Sequence, residues 1–138
     1  MKIIKISQKN YLSQAVAVIK SGGLVVYPSD TVYILAVDPR NPEAVKKLLS
    51  FKNRWPGKAV SVAVSDIKMA QNYVKLSPST HLLYQNLLPG PFTLVSPGYH
   101  RVVAGIEAEN GTLGIRIPDS PAILDLINHF RCRSVVQK

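Results

Sequence analysis

Apolar residues recur along this chain at two periods, and the changes from one to the other predict its elements. Lys2 to Ile6 alternates, with Ile4 and Ile6 on one side and Ile3 on the other, and reads as a first strand. Leu12, Ala15, Val16 and Ile19 then recur at helical spacing over Tyr11 to Lys20, giving an amphipathic helix with one buried face. Gly22-Gly23 ends it, because glycine leaves a helix with positive φ at little cost. Leu24 to Tyr27 is a short Val-rich run that suits a buried strand, and Pro28 closes it. Leu35 to Val37 reads as a short strand. Asn41-Pro42 reads as the cap and first residue of a helix with Val45, Leu48 and Leu49 facing inward and Glu43 pairing with Lys46 or Lys47.

The second half continues the interleaving. Val60, Val62 and Val64 alternate with Ala59, Ser61 and Ala63, a strand with small residues on one face. Ser65 or Asp66 caps a helix running to about Tyr73. Ser77-Pro78 starts another, with Leu82, Leu83 and Leu87 as its apolar positions, and Pro89-Gly90-Pro91 stops it. Phe92 to Val95 is a strand, and Gly98 to Asn110 a polar loop with an apolar patch at Val102-Val103-Ala104. Thr112 to Ile117 alternates cleanly, placing Thr112, Gly114 and Arg116 on one face. Asp119-Ser120-Pro121 opens a helix whose stripe is Ile123, Leu124, Ile127 and Phe130, and Ser134-Val135-Val136 opens a last strand. Strands interleaved with helices predict α/β layers.

Composition narrows the class. At 138 residues, 46% hydrophobic, the chain suits one packed domain. The lone Cys132 excludes an intrachain disulfide framework and fits a reducing cytosol. His81, His100 and His129 are scattered and show no zinc-site spacing. No apolar run reaches the ~18 residues of a membrane span and no secretory h-region is seen, so neither a span nor export is expected. The net charge of +9 favours anionic partners such as nucleotides, RNA or acidic surfaces.

The candidate chemistry gathers in Gly22 to Lys58. Ser29, Asp30 and Thr31 put three short oxygen-bearing side chains at a strand's C-terminal end, where ligands bind in open α/β sheets. Lys52 and Arg54 lie just past a helix, and Lys58 adds a third cation. Taken alone, these cations also read as a solvated basic loop. Arg116, on a strand between apolar residues, needs an anion or solvent on its side.

Four segments together carry a resemblance: Tyr27-Pro-Ser-Asp-Thr31-Val-Tyr33, Lys52-Asn-Arg54, Pro89-Gly90-Pro91-Phe92-Thr93 and Gly114-Ile-Arg116-Ile-Pro118. In order and spacing they resemble the YrdC/Sua5 family of threonylcarbamoyl-AMP synthases. The resemblance implies a YrdC-like fold, a twisted mixed sheet with flanking helices and a concave basic cleft. It implies condensation of L-threonine, bicarbonate and ATP into threonylcarbamoyl-AMP and pyrophosphate for the t6A37 modification of tRNA. It also implies Mg2+ with the nucleotide, a cytoplasmic location, tRNA or double-stranded RNA contact, and transferase proteins of the t6A pathway as partners.

By the same resemblance, Lys52 and Arg54 are catalytic and bind ATP, with Lys58 and Thr112 beside them. Thr31, Arg116 and Ser29 bind threonine. The Pro-Gly-Pro turn is structural, at the cleft wall. Ile34 departs from the family's usual glycine. Members continue past the last strand into a motif whose Ser and Asn complete the ATP site. The matching register here is Val136-Gln137-Lys138. The expectation is therefore one domain over 1–138, incomplete at its C-terminus and weakened in turnover. An RNA-binding module of the same fold, without full activity, is the alternative. A carbamoyl-transfer domain of the hydrogenase-maturation type is a third.

Overall fold

A computed structural model of the chain describes residues 2–51, 59–130 and 135–137, the last as backbone. The helices are α1 (Tyr11–Lys20), α2 (Pro42–Phe51), α3 (Ile67–Ala70), α4 (Pro78–Leu87) and α5 (Pro121–His129). The strands are β1 (Val25–Pro28), β2 (Tyr33–Ala36), β3 (Ser61–Ala63), β4 (Leu94–Pro97), β5 (Thr112–Arg116) and β6 (Val135–Gln137). Side-chain oxygens satisfy the first orphan N–H groups of three helices. Asn41 Oδ1 accepts from Glu43 and Ala44, Asp66 from Met69, and Ser77 from Thr80. After α1, Gly22 takes φ 77° and its N–H donates to Ile19 O, a left-handed helix stop.

The mixed sheet has the order β4-β5-β3-β6, with β3 parallel to β5 and the other neighbours antiparallel. β1 and β2 form a separate antiparallel hairpin, with Val25 opposite Ala36 and Pro28 opposite Tyr33. Val62, Leu113 and Ile115 turn one sheet face onto Val45 and Leu48 of α2, Ala70 of α3 and Tyr84 of α4. Ala15, Val16 and Ile19 of α1 and Ile123, Leu126 and Ile127 of α5 form a second core with Tyr27, Ile34, Ala36 and Ala63. Alternation makes this division: the odd-numbered apolar residues of β5 enter the first core, leaving Thr112, Gly114 and Arg116 on the other face.

Several sequence expectations are corrected. Lys2 to Ile6 forms no strand: Ile3 is 83% and Ile6 49% exposed, and alternation without a partner strand earns no ladder. β1 is not buried on both faces, because a hairpin covers one side only and Val26 remains exposed. Glu43 has no ion pair with either lysine, and Lys47 Nζ instead donates to Gly22 O at 3.3 Å. In α4, Leu82 and Leu83 are exposed and Tyr84 is the fully buried residue. In α5, Leu126 replaces Leu124 in the buried stripe. Phe92 lies outside β4, and the 98–110 loop contributes Ile106, fully buried, to the core.

Candidate functional site

The site is built where the hairpin loop meets the end of β5. Ser29 shapes that loop. Its N–H donates to Val32 O at 3.2 Å, its Oγ donates to the same carbonyl, and its Oγ accepts from the N–H groups of Thr31 and Val32 at 3.3 Å each. A short hydroxyl side chain thereby replaces backbone partners that a four-residue connection lacks. The turn carries Asp30 and Thr31 toward the sheet.

Arg116 ends β5 opposite Ala63 of β3, so it stands at the carboxyl ends of the parallel pair. Its Nη2 donates to Asp30 Oδ1 at 2.7 Å, and Nη1 and Nη2 both lie 3.3 Å from Thr31 Oγ1. The Asp30 Oδ2 accepts from the backbone N–H of Asp119 at 3.3 Å. The two charged side chains are 12% and 11% exposed. Arg116 Nε is buried and has no partner among the described residues. A guanidinium has five N–H donors, so this one is not saturated by two acceptor oxygens.

Thr31 and Arg116 are thus brought together, and Ser29 supports them through Thr31 Oγ1 at 3.3 Å. Thr112 shares the Arg116 face but lies four residues back, roughly 13 Å along the strand. Its hydroxyl donates to Asn110 Oδ1 at 2.7 Å. Between them, a Cβ at Gly114 would lie 3.0 Å from Thr93 Cγ2 and 3.4 Å from Ser61 Oγ. Thr93 is the last residue of the Pro89–Thr93 turn, so that segment does border this face. Val95, paired with Gly114, is 65% exposed there. Lys52, Arg54 and Lys58 lie outside the described residues. Tyr33, at the hairpin's far strand, is exposed.

Sequence reasoning missed Asp30 as the partner of Arg116. A strand arginine calls for an anion or solvent on its side, but no local pattern ties residue 116 to Asp30, 86 residues away. Ser29 to Thr31 follow β1, which belongs to the hairpin, and Asp30 and Thr31 meet Arg116 at the carboxyl ends of β3 and β5.

Two phenols are perturbed near these elements. Burial pushes the Tyr27 hydroxyl far above its ordinary range, with Tyr11 and Asp125 adding to the effect, and its Oη has no hydrogen-bond partner among the described residues. Burial also raises Tyr84, and its bond with Ser96 Oγ at 3.2 Å offsets part of the rise. Among the described residues, no three His, Cys, Asp or Glu side chains converge to hold a metal ion, and no helix is long and apolar enough to cross a membrane. His129 Nδ1 bonds Asp125 O inside α5, while His81 sits in α4. A groove of about 480 Å³ runs along α1 between Lys9, Leu12, Lys20 and His129 and includes none of the predicted site residues.

A family model described as telomere recombination, Sua5/YciO/YrdC, matches residues 17–136. The threonylcarbamoyl-AMP synthase of Vibrio vulnificus (strain YJ016) is 30% identical over 122 residues, 86% of this chain and 66% of the relative. That of Xylella fastidiosa (strain 9a5c) is 33% identical over 115 residues, 81% of this chain and 62% of the relative. This chain therefore spans slightly less than two thirds of their length. The crystal structure of P. abyssi Sua5 complexed with L-threonine superposes with a TM-score of 0.85 at 26% identity, covering 92% of this chain and 37% of that one.

Proposed function

The chain belongs to the Sua5/YciO/YrdC family, and from that premise we propose that it is an L-threonylcarbamoyladenylate synthase. The reaction consumes L-threonine, bicarbonate and ATP and yields threonylcarbamoyl-AMP, pyrophosphate and water. The threonine amine first becomes a carbamate, releasing water. A carbamate oxygen then attacks the α-phosphorus, and the bond to pyrophosphate breaks. Charge develops on phosphoryl oxygens, so positioned cations carry most of the catalytic demand.

In this reading Arg116 holds the threonine carboxylate, and Thr31, braced by Ser29, offers a hydroxyl that both donates and accepts. Lys52 and Arg54 neutralise the reacting phosphates, the arginine through its planar fork and the lysine as a compact charge. Lys58 and Thr112 border the nucleotide. Mg2+ belongs to this proposal as a companion of the ATP phosphates, where it would offset their charge; the described residues form no cluster of their own for it. The product serves t6A37 formation on tRNA in the cytoplasm, with transferases of that pathway as partners.

The observation that supports the reading best is the contact of Thr31 with Arg116, two predicted threonine ligands 85 residues apart in sequence. The test is pyrophosphate release from ATP, with and without threonine and bicarbonate. Release that requires both is expected; release independent of either rejects the assignment. A second reading, an RNA-binding module, has one observation of its own. The Arg101 guanidinium lies 5.5 Å from the centre of the Tyr99 ring, an exposed cation–aromatic pair of the kind that receives stacked bases. Salt-sensitive RNA affinity without threonine-dependent nucleotide binding would favour it.

A further inference from the structure

We propose that Asp30 makes the Arg116 wall selective for a zwitterion, an α-amino acid, over a plain carboxylic acid. The inference rests on the reading of Arg116 as the group that receives the substrate carboxylate. Its basis is that this guanidinium is already neutralised. Asp30 Oδ1 lies 2.7 Å from Arg116 Nη2, with both side chains almost out of solvent. A carboxylate reaching the remaining donors of Arg116 approaches the Asp30 charge as well. In a partly desolvated site the repulsion is weakly screened and cancels much of what Arg116 offers. A ligand with an ammonium group one carbon from its carboxylate carries its own remedy. Its two charges match the Arg116–Asp30 dipole in opposite order.

Asp30 is not free to swing away and leave Arg116 to an anion. Its Oδ2 accepts from the Asp119 N–H, and its backbone lies inside the turn that Ser29 closes. Arg116 does not depend on Asp30 alone for its orientation, because Thr31 Oγ1 contacts both Nη1 and Nη2. The carboxylate therefore contributes charge more than it contributes scaffolding. An isosteric amide keeps one acceptor oxygen for Arg116 and removes the charge together with the acceptor for the Asp119 N–H, so Asp30→Glu, which keeps both, is the paired control. Asp30 is a specificity-determining residue in this account.

The test compares L-threonine with 2,3-dihydroxybutanoate, in which a hydroxyl replaces the ammonium, by calorimetric titration of the full chain. The wild type should favour threonine by about tenfold or more, the factor that one well-placed charge pair confers at intermediate dielectric. Asp30→Asn should bring the ratio close to one, by weakening threonine and sparing or strengthening the hydroxy acid. Asp30→Glu, which restores the charge, should keep the preference. Thermal unfolding checks that both variants fold; should Asp30→Asn not fold, the wild-type ratio and Asp30→Glu decide. A wild type without preference, an unchanged ratio in Asp30→Asn, or equal weakening of both ligands overturns the inference. If the wild type binds threonine and Arg116→Ala abolishes that binding, those outcomes reject the role of Asp30 alone. If the wild type binds neither ligand, the reading of Arg116 falls and takes this inference with it.

Discussion

Arg116 Nη2 and Asp30 Oδ1 stand 2.7 Å apart across 86 residues of sequence, and the pair ties the hairpin loop to the end of β5. Neither charge has much access to water. Breaking such a pair by removing one partner strands the other charge, which is costlier than losing both. Arg116→Met is expected to destabilise the fold by about 3 kcal/mol, and adding Asp30→Asn to it should recover part of that loss. Urea denaturation of the two single variants and the double variant measures the coupling. Strict additivity would show that the contact carries no interaction energy.

Tyr27 and Tyr84 are both buried phenols, yet their hydroxyls differ in partners. Tyr84 Oη meets Ser96 Oγ at 3.2 Å and Leu94 O at 3.5 Å, while Tyr27 Oη has no partner among the described residues. Tyr84→Phe should therefore cost about 1 kcal/mol at neutral pH, and Tyr27→Phe should be neutral or stabilising, because it deletes an unsatisfied buried group. Opposite signs in denaturant midpoints are the expected result. Two destabilisations of equal size would contradict it.

The same phenols bear on stability at alkaline pH. Burial raises both pKa values in the folded state, so above the unfolded-state value of about 10 the unfolded chain loses protons that the folded chain keeps. Stability is fully present below that pH and declines as pH rises further. Tyr27→Phe should flatten the decline, since desolvation is its leading cause. Unfolding free energies between pH 8 and 11 in both proteins provide the check, and parallel slopes would be the contrary outcome.

The legible parts of this fold are those decided by local pattern. Thr112 to Ile117 could be read because one strand buries every second residue, and Asn41-Pro42 because a cap needs only its own helix. What stayed hidden depends on distant partners. Lys2 to Ile6 has a strand's alternation and pairs with no strand among the described residues. Leu82, Leu83 and Tyr84 are consecutive apolar residues, and it is Tyr84 that enters the core, where its hydroxyl meets Ser96 of β4. At the candidate site, the need of Arg116 for an anion or solvent was readable from its strand, while Thr31 and Ser29 were singled out by the family pattern and are found in contact with it or beside it. That Asp30 supplies the anion was not, because nothing within a helix turn or a strand pair links residues 30 and 116. The cations Lys52, Arg54 and Lys58 rest on the family pattern, outside the described residues.

Gly114 provides a packing test on the β5 face that carries Arg116. A Cβ there would press on Thr93 Cγ2 at 3.0 Å, tighter than ordinary contact. Gly114→Ala is expected to cost about 1–2 kcal/mol through overpacking. Thr93→Ser deletes the opposing methyl group, so the double variant should regain most of the loss. Thermal midpoints of the four proteins test this, and a double variant no better than Gly114→Ala would place the strain elsewhere.

Arg54 tests the proposed nucleotide role through geometry rather than charge alone. A guanidinium presents two parallel N–H donors to a phosphate, whereas lysine offers one compact ammonium on a flexible stem. A charge-assisted contact of this kind is worth about 1.5–3 kcal/mol. Arg54→Ala should therefore weaken ATP binding by roughly one to two orders of magnitude, and Arg54→Lys should recover only part of it. Threonine affinity should be nearly unchanged in both, because Thr31 and Arg116 supply that subsite in the proposed reading. Titrations with ATP and with threonine separate the two effects. Equal ATP affinity in wild type, Arg54→Lys and Arg54→Ala would remove Arg54 from the phosphate site. Parallel losses of ATP and threonine affinity would instead assign it to the stability of the whole cleft.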